Sequence, residues 1–226
     1  MANRYVLKFS KGGYAKFTSH LDMLRFFKRA FRKCGISLKY SQGFNPHPKL
    51  SFAQPLSLGY SSIYELLEFE TERFHEPEKI LEAMAEEMPE GINIDWVKSF
   101  DSDVKSLASV AESAQYKITL PLSIEQAQLD DLSKGYMQQD KILVMKRQKK
   151  DKKLVVIDIK DKIRSFEARA YGDDTLLLMT LDCGSVSNCS PELVITSFIE
   201  FADIDLPRYK INVEREKINF IKILQF

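Results

Sequence analysis

RYVLKFSKGGYAKFTSHLDMLRFFKRAFRKCG, residues 4–35, decides the fold. Its first seven residues alternate and are rich in β-formers, which predicts a strand over 4–10. Gly12-Gly13 makes a turn. Ser19, with Asp22 three residues on, is the acidic form of a capping box, so a helix starts at about residue 20. It runs to about 34 and stops at Gly35, placed where a left-handed residue ends a helix. A strand feeding an amphipathic helix opens a split βαβ unit.

Working outward, residues 36–41 read as short and extended. Gly43-Phe44-Asn45-Pro46-His47-Pro48 reads as a loop, because both prolines oppose helix there. Two strands, 49–58 and 63–72, flank a Gly59-Tyr60-Ser61-Ser62 turn. Pro77 at a first helical position opens a second helix to about Met88, Gly91 ends it, and 92–99 is a strand. The later part of the chain repeats this order. It has a strand over 115–121, a helix capped by Ser123 to about 136, and strands over 141–148 and 153–159 joined by the basic tip Lys149-Lys150-Asp151-Lys152-Lys153. A hairpin over 163–171 and 175–182 follows, then a helix opened by Ser190-Pro191-Glu192 and a strand over 208–215. The expected fold is α+β: two ferredoxin-like (split βαβ) halves, each an antiparallel sheet with two helices on one face. Residues 1–100 form the N-terminal half with the basic helix and loop, 101–114 a polar linker, and 115–226 the C-terminal half.

The chain has 226 residues, 44% of them hydrophobic, enough apolar matter for two cores and against global disorder, and 29% charged, enough for a well-solvated surface. No apolar run approaches the roughly 18 residues that cross a membrane, and the first residues carry no long apolar segment of a signal peptide. The three cysteines, Cys34, Cys183 and Cys189, are sparse and odd in number, which fits ordinary thiols in a reducing, cytoplasmic setting. No metal site and no cofactor is implied.

The net charge of +1 hides a strong asymmetry. Residues 1–60 carry eleven Lys/Arg against the single acid Asp22, a net +10, whereas residues 61–103 carry three bases and thirteen acids, a net −10. Either the basic segment presents a field to a partner, or the acidic segment packs beside it and neutralises it.

On the predicted helix, Leu24, Phe27, Phe31 and Cys34 recur at helical spacing and mark the core face. Arg25, Lys28, Arg29 and Arg32, with Lys33, form a stripe about 140° wide on the other face, at 100° per residue. Like charges at i,i+4 cost a few tenths of a kcal/mol per pair. A merely solvated face usually mixes Glu with Lys; a polyanion relieves the repulsion and releases counterions. In the loop that follows, Lys39 and Lys49 offer phosphate contacts. Tyr40, Phe44 and Phe52 offer rings for unpaired bases, Gly43 permits close backbone approach, and Asn45 and His47 offer polar contacts. Phe52, on a strand, reads better as a core residue; for Phe44 the two readings balance.

The run Ser19-His20-Leu21-Asp22 and the loop Tyr40-Ser41-Gln42-Gly43-Phe44-Asn45-Pro46-His47-Pro48-Lys49-Leu50-Ser51-Phe52 resemble a domain family linked to radical SAM proteins. That domain of unknown function occurs alone or fused behind a cobalamin-binding radical SAM enzyme. The resemblance covers the whole chain, with its distinctive motifs in residues 14–60. It implies a companion role near radical SAM chemistry or RNA metabolism and supplies no catalytic residues.

The chain is not itself a radical SAM enzyme, since its cysteines lack the close three-residue spacing that holds the cluster. No phosphate-binding loop, dinucleotide fingerprint, HExxH or nucleophile elbow is present. The expected function is an RNA-binding accessory protein without catalytic activity of its own. Two alternatives stay open. One is a metal-free RNA endonuclease or RNA-modifying enzyme using His20 or His47, since paired ferredoxin-like endonucleases and tRNA pseudouridine synthases share the two-half layout. The other is a module that docks on a radical SAM partner protein.

Overall fold

The computed structural model describes residues 3–100, 105–148 and 153–221. The chain forms two compact units: Met1–Ala111 with Arg215–Phe226, and Glu112–Glu214.

In the first unit, β1 (Arg4–Lys11) leads through a 3-10 turn at Gly13–Phe17 into α1 (His20–Lys33). Next come β2 (Leu50–Phe52), β3 (Ser61–Glu70), α2 (Pro77–Ala85), β4 (Ile92–Ser99) and the one-turn helix α3 (Leu107–Val110). The order is β4-β1-β3, with β2 also on β3, and these pairings are antiparallel. Since β1 and β2 both run opposite to β3, they run the same way with β3 between them, which is the split βαβ arrangement. Strand alternation turns Tyr5, Leu7 and Phe9 of β1 and Leu67 and Phe69 of β3 to one face. There they meet Phe27 and Phe31 of α1 and Ile80 and Met84 of α2, so both helices cover the same side of the sheet. Phe9 and Phe27 lie 5.1 Å apart between ring centroids, and Phe31 and Phe69 4.6 Å. Truncating one of these rings to Ala costs about 3–5 kcal/mol.

The ends of α1 follow from its sequence. Ser19 Oγ accepts from the Asp22 backbone N–H at 3.2 Å and donates to Asp22 Oδ2 at 2.7 Å. Gly35 follows the helix at φ 70°. α2 ends at Ala85, earlier than the expected Met88: its last turn tightens through Glu87 N–H to Met84 O and Met88 N–H to Ala85 O ahead of Pro89, which disfavours helix in the residue before it. β2 is only three residues long instead of spanning 49–58, because the prolines at 46, 48 and 55 remove ladder donors on both sides. Gly91, at φ 87°, brings its carbonyl to the Gly12 N–H at 2.8 Å, and a Cβ at residue 91 would stand 2.5 Å from Gly12 O.

The expected linker 101–114 has structure in its described part: α3 occupies Leu107–Val110, and residues 111–114 are already strand. The second unit runs from β5 (Ala111–Leu120) through α4 (Gln126–Gln138), β6 (Leu143–Arg147), β7 (Leu154–Asp158), β8 (Ile163–Tyr171) and β9 (Asp174–Asp182) to α5 (Pro191–Phe201) and β10 (Asn212–Phe220). Its sheet order is β5-β9-β8, antiparallel throughout, and β6-β7 form a separate ribbon. Tyr136 of α4 and Phe198 of α5 meet Phe166 of β8, and Tyr136 Oη bonds Ser197 Oγ at 2.6 Å, so both helices again share a face. α4 starts at Gln126, behind Glu125, rather than behind a Ser123 cap; the Gln126 side chain donates to Asp130 Oδ1 and accepts from the Ala170 N–H. Of the basic tip, residues 149–152 lie outside the described ones; the Lys153 carbonyl accepts from the Gln148 N–H.

The units do not divide at a single cut. β10 belongs to the second unit through Glu214 and to the first from Arg215, where it lies beside β3. The protein is thus α+β, built of antiparallel sheets with helices packed on one face. No helix among the described residues is long and apolar enough to cross a membrane.

Candidate nucleic-acid interface

The core face of α1 fixes where its other face points. Met23, Phe27, Ala30 and Phe31 are buried, which leaves Arg25, Arg29, Arg32 and Lys33 exposed and Lys28 half-buried. Lys28, Arg29 and Arg32 line a cleft of about 380 Å³ at the C-terminal end of α1. Its remaining walls are Gly35 to Leu38, Tyr40, Pro48 and Glu72.

The segment after α1 closes this cleft by pairing with the end of β3. The Lys39 N–H donates to Glu70 O at 2.8 Å, the Lys49 N–H to Lys39 O at 2.8 Å, and the Glu72 N–H to Ser37 O at 2.9 Å. Further out, the Ser41 N–H donates to His47 O and the His47 N–H to Ser41 Oγ, which pins the neck of the loop. Tyr40 is half exposed at the rim, and Phe44, at the tip, is fully exposed. Asn45 and His47 are exposed on the same loop. Phe52 is buried against Phe9 and Phe27, so its ring belongs to the core.

The eleven expected contact residues fall into three groups. Arg25, Lys33, Lys39 and Lys49 are engaged in ion pairs. Arg25 meets Asp22 at 3.0 Å, Lys33 meets Glu87 at 2.7 Å, and Lys39 and Lys49 close on Glu70 at 3.3 and 2.9 Å. Lys28, Arg29, Arg32 and Tyr40 share the cleft, and these three cations have no carboxylate partner among the described residues. Phe44, Asn45 and His47 ride on the loop outside it. Asp22 and the acidic segment thus pair the cations at the edges of the basic face, whereas in its centre Glu72 lines the cleft without an ion pair to the three cations. Burial pushes the Glu70 carboxyl up, but the hydrogen bonds from Lys49 and Lys39 outweigh it and hold the group below its ordinary value.

His20 and His47 do not share a site. His20 lines a separate small cavity with Lys11, Met23, Phe52, Leu56 and Glu65, its ring edge-on to Phe52 at 5.2 Å. Burial, then the Lys11 charge, holds its pKa below 6.5, with Glu65 opposing. Beside it lies a buried charge cluster that periodicity alone did not reveal. Arg215 donates to Glu65 at 2.9 and 2.5 Å and to the carbonyls of Gln54 and Pro55, while Lys11 Nζ donates to Thr18 O at 2.8 Å. Strand parity carried a signal, since Glu65 stands in step with Leu67 and Phe69, and Arg215 with Val213. A charge at a core position requires a partner. Glu70 and Glu72 were missed for another reason: only the fold reveals that the end of β3 runs beside the 37–49 segment.

Burial pushes the Cys189 thiol up to about 11, so it is protonated at neutral pH. Among the described residues no group of three or more His, Cys, Asp or Glu is arranged to hold a metal ion.

Residues 4–191 match the family described as "Uncharacterized protein conserved in bacteria (DUF2344)", and the chain belongs to that family. No curated protein matches it in sequence. Among solved structures, it is similar to a chain of a crystal structure of a Cbf5-Nop10-Gar1 complex, at 10% identity and a TM-score of 0.51. That match covers 95% of this chain and 48% of the other, so the chain spans about half the length of the protein it matches. At this identity the likeness is one of fold. A crystal structure of an unknown protein from Galdieria sulphuraria aligns over 98% of this chain and 99% of that one, at 7% identity and a TM-score of 0.26, too low to carry an argument.

Proposed function

We propose that this DUF2344 protein is an accessory that binds single-stranded RNA in the basic cleft of its first unit. One observation carries the reading: Lys28, Arg29 and Arg32 line a cleft beside Tyr40 with no carboxylate partner among the described residues. Cations on adjacent helical turns repel one another. A phosphate backbone relieves that repulsion and releases its own counterions. Tyr40 at the rim and Phe44 on the loop supply rings on which unpaired bases stack. A cleft of about 380 Å³ takes a nucleotide and is too small for a duplex. Its dominant charge favours a phosphate ligand over a docked protein, whose interface core is depleted of charge.

In this reading the chemistry belongs to another chain, and this one holds the RNA. A radical SAM enzyme is the partner class supported by the resemblance of Ser19–Asp22 and of the 40–52 loop.

The test is fluorescence anisotropy with a labelled single-stranded RNA, a DNA of the same sequence and an RNA duplex. The single-stranded RNA binds best, and its affinity falls with salt at a log–log slope of about −2, the value for three phosphate contacts on a single strand. Arg29→Glu with Arg32→Glu lowers the affinity by about 100-fold at low salt while the protein stays folded. A flat salt response, or undiminished binding by the double variant, overturns the proposal.

A further inference from the structure

Glu72 lies in the same cleft as the three cations, yet it forms no ion pair with any of them or with any other described residue. A cleft serving only to hold phosphate gains nothing from a carboxylate, which repels the ligand. The main chain that carries it is held in place. The backbone N–H of Glu72 donates to Ser37 O at 2.9 Å, and its carbonyl accepts from Asn3 Nδ2 at 3.3 Å. The cleft therefore carries separated charge, with cations along α1 and a carboxylate borne by a fixed backbone just past the end of β3.

An ionised carboxylate only accepts hydrogen bonds, and it accepts two side by side. Its ligand must present donors there and phosphate to the arginines. Among the four bases, only guanine offers two adjacent donors on its Watson–Crick edge, N1–H and N2–H. Adenine and cytosine place a ring-nitrogen acceptor beside their amino group, and uracil flanks N3–H with two carbonyls; each of these acceptors faces the carboxylate unfavourably. The volume suits one nucleotide, at the small end of the range for ligand pockets of about 300–1,000 Å³. Tyr40, tied to Pro48 by a bridge between their backbones, gives the base a ring to stack on.

We infer that this cleft is a guanine-selective nucleotide subsite, in which Glu72 reads the base while Arg29 and Arg32 hold the phosphate. The inference rests on the RNA-binding reading above and specifies the nucleotide bound.

The experiment uses fluorescein-labelled RNA heptamers, three uridines on each side of a central G, A, C, U or inosine, with the intact protein. The G heptamer binds at least about tenfold tighter than the A, C and U heptamers, as one bidentate base contact provides. Inosine, which lacks the amino group, falls between. Glu72→Gln removes the carboxylate and its repulsion, so the A, C and U heptamers bind a few-fold tighter and the G heptamer comes to within about threefold of them. Arg29→Glu with Arg32→Glu weakens all five. Equal binding of all heptamers, still lost in the arginine variant, removes guanine selection and leaves RNA binding standing. No binding of any heptamer removes both. A G preference that survives Glu72→Gln overturns the assignment of Glu72.

Discussion

Two sets of cations in the first unit meet opposite fates. Arg215 is 1% exposed, and its guanidinium contacts both Glu65 oxygens and two backbone carbonyls. Lys28, Arg29 and Arg32 line an open cleft and form no ion pair with a carboxylate among the described residues. A buried cation has left water and must be matched group by group, because an unmatched charge there costs several kcal/mol. A surface cation keeps its hydration and tolerates a missing partner at a few tenths of a kcal/mol. Charges that serve folding are thus recognised by complete partnering, and charges available to a ligand by its absence. Glu70, holding Lys39 and Lys49 at a half-exposed site, lies between the two.

The largest expected effect tests the buried side. Glu65→Ala leaves Arg215 charged and unmatched and costs about 3–5 kcal/mol, a fall in Tm of roughly 6–20 °C in a chain of this size. Replacing both partners, Glu65→Leu with Arg215→Met, recovers most of that loss in thermal denaturation. A single variant within 1 °C of the parent breaks the comparison. Next comes the exposed side. Arg29→Glu with Arg32→Glu lowers RNA affinity by about 100-fold at low salt, yet shifts Tm by no more than about 2 °C, because neither side chain supports the core.

The intermediate case sharpens the contrast. Glu70→Gln frees Lys39 and Lys49 from an exposed pair worth about 0.2–1 kcal/mol, so RNA affinity rises about 1.4- to fivefold in the same anisotropy assay. Because the Glu70 carboxyl sits below its ordinary value of 4.5, its stabilisation is present above that pH and lost as pH falls through the lower folded value. The smallest effect belongs to His20. Its folded pKa lies below 6.5, so the unfolded chain binds the extra proton, and stability declines as pH falls from 6.5 toward the folded value. His20→Gln removes that part of the slope in denaturation curves at pH 7.5, 6.5 and 5.5.

What the residues disclosed on their own follows the range of the interactions. α1 was legible from Ser19 to Gly35, because capping and 3.6-residue periodicity act within a few residues. The basic stripe was legible for the same reason, as was the core role of Phe52. The two-helices-on-one-face architecture followed from element order. Contacts across the sheet were not legible. Which acids meet which bases depends on β1 and β3 pairing Arg4 with Glu70, a register that no local pattern specifies. The same holds for Arg215, which meets a residue 150 positions earlier. The shortness of β2 reflects local competition from its flanking prolines.

The place of β10 has a consequence for how the protein is made. A ribosome synthesises Glu65 long before Arg215, and at about 5–20 residues per second the wait over those 150 positions is roughly 8–30 s. Throughout that interval the nascent first unit has a carboxylate where its core is to close, and the carboxylate stays hydrated. Final closure of the unit therefore follows translation of the second, and a nascent chain arrested before residue 215 stays sensitive to protease at residues 53–57, the segment that the arginine ties down.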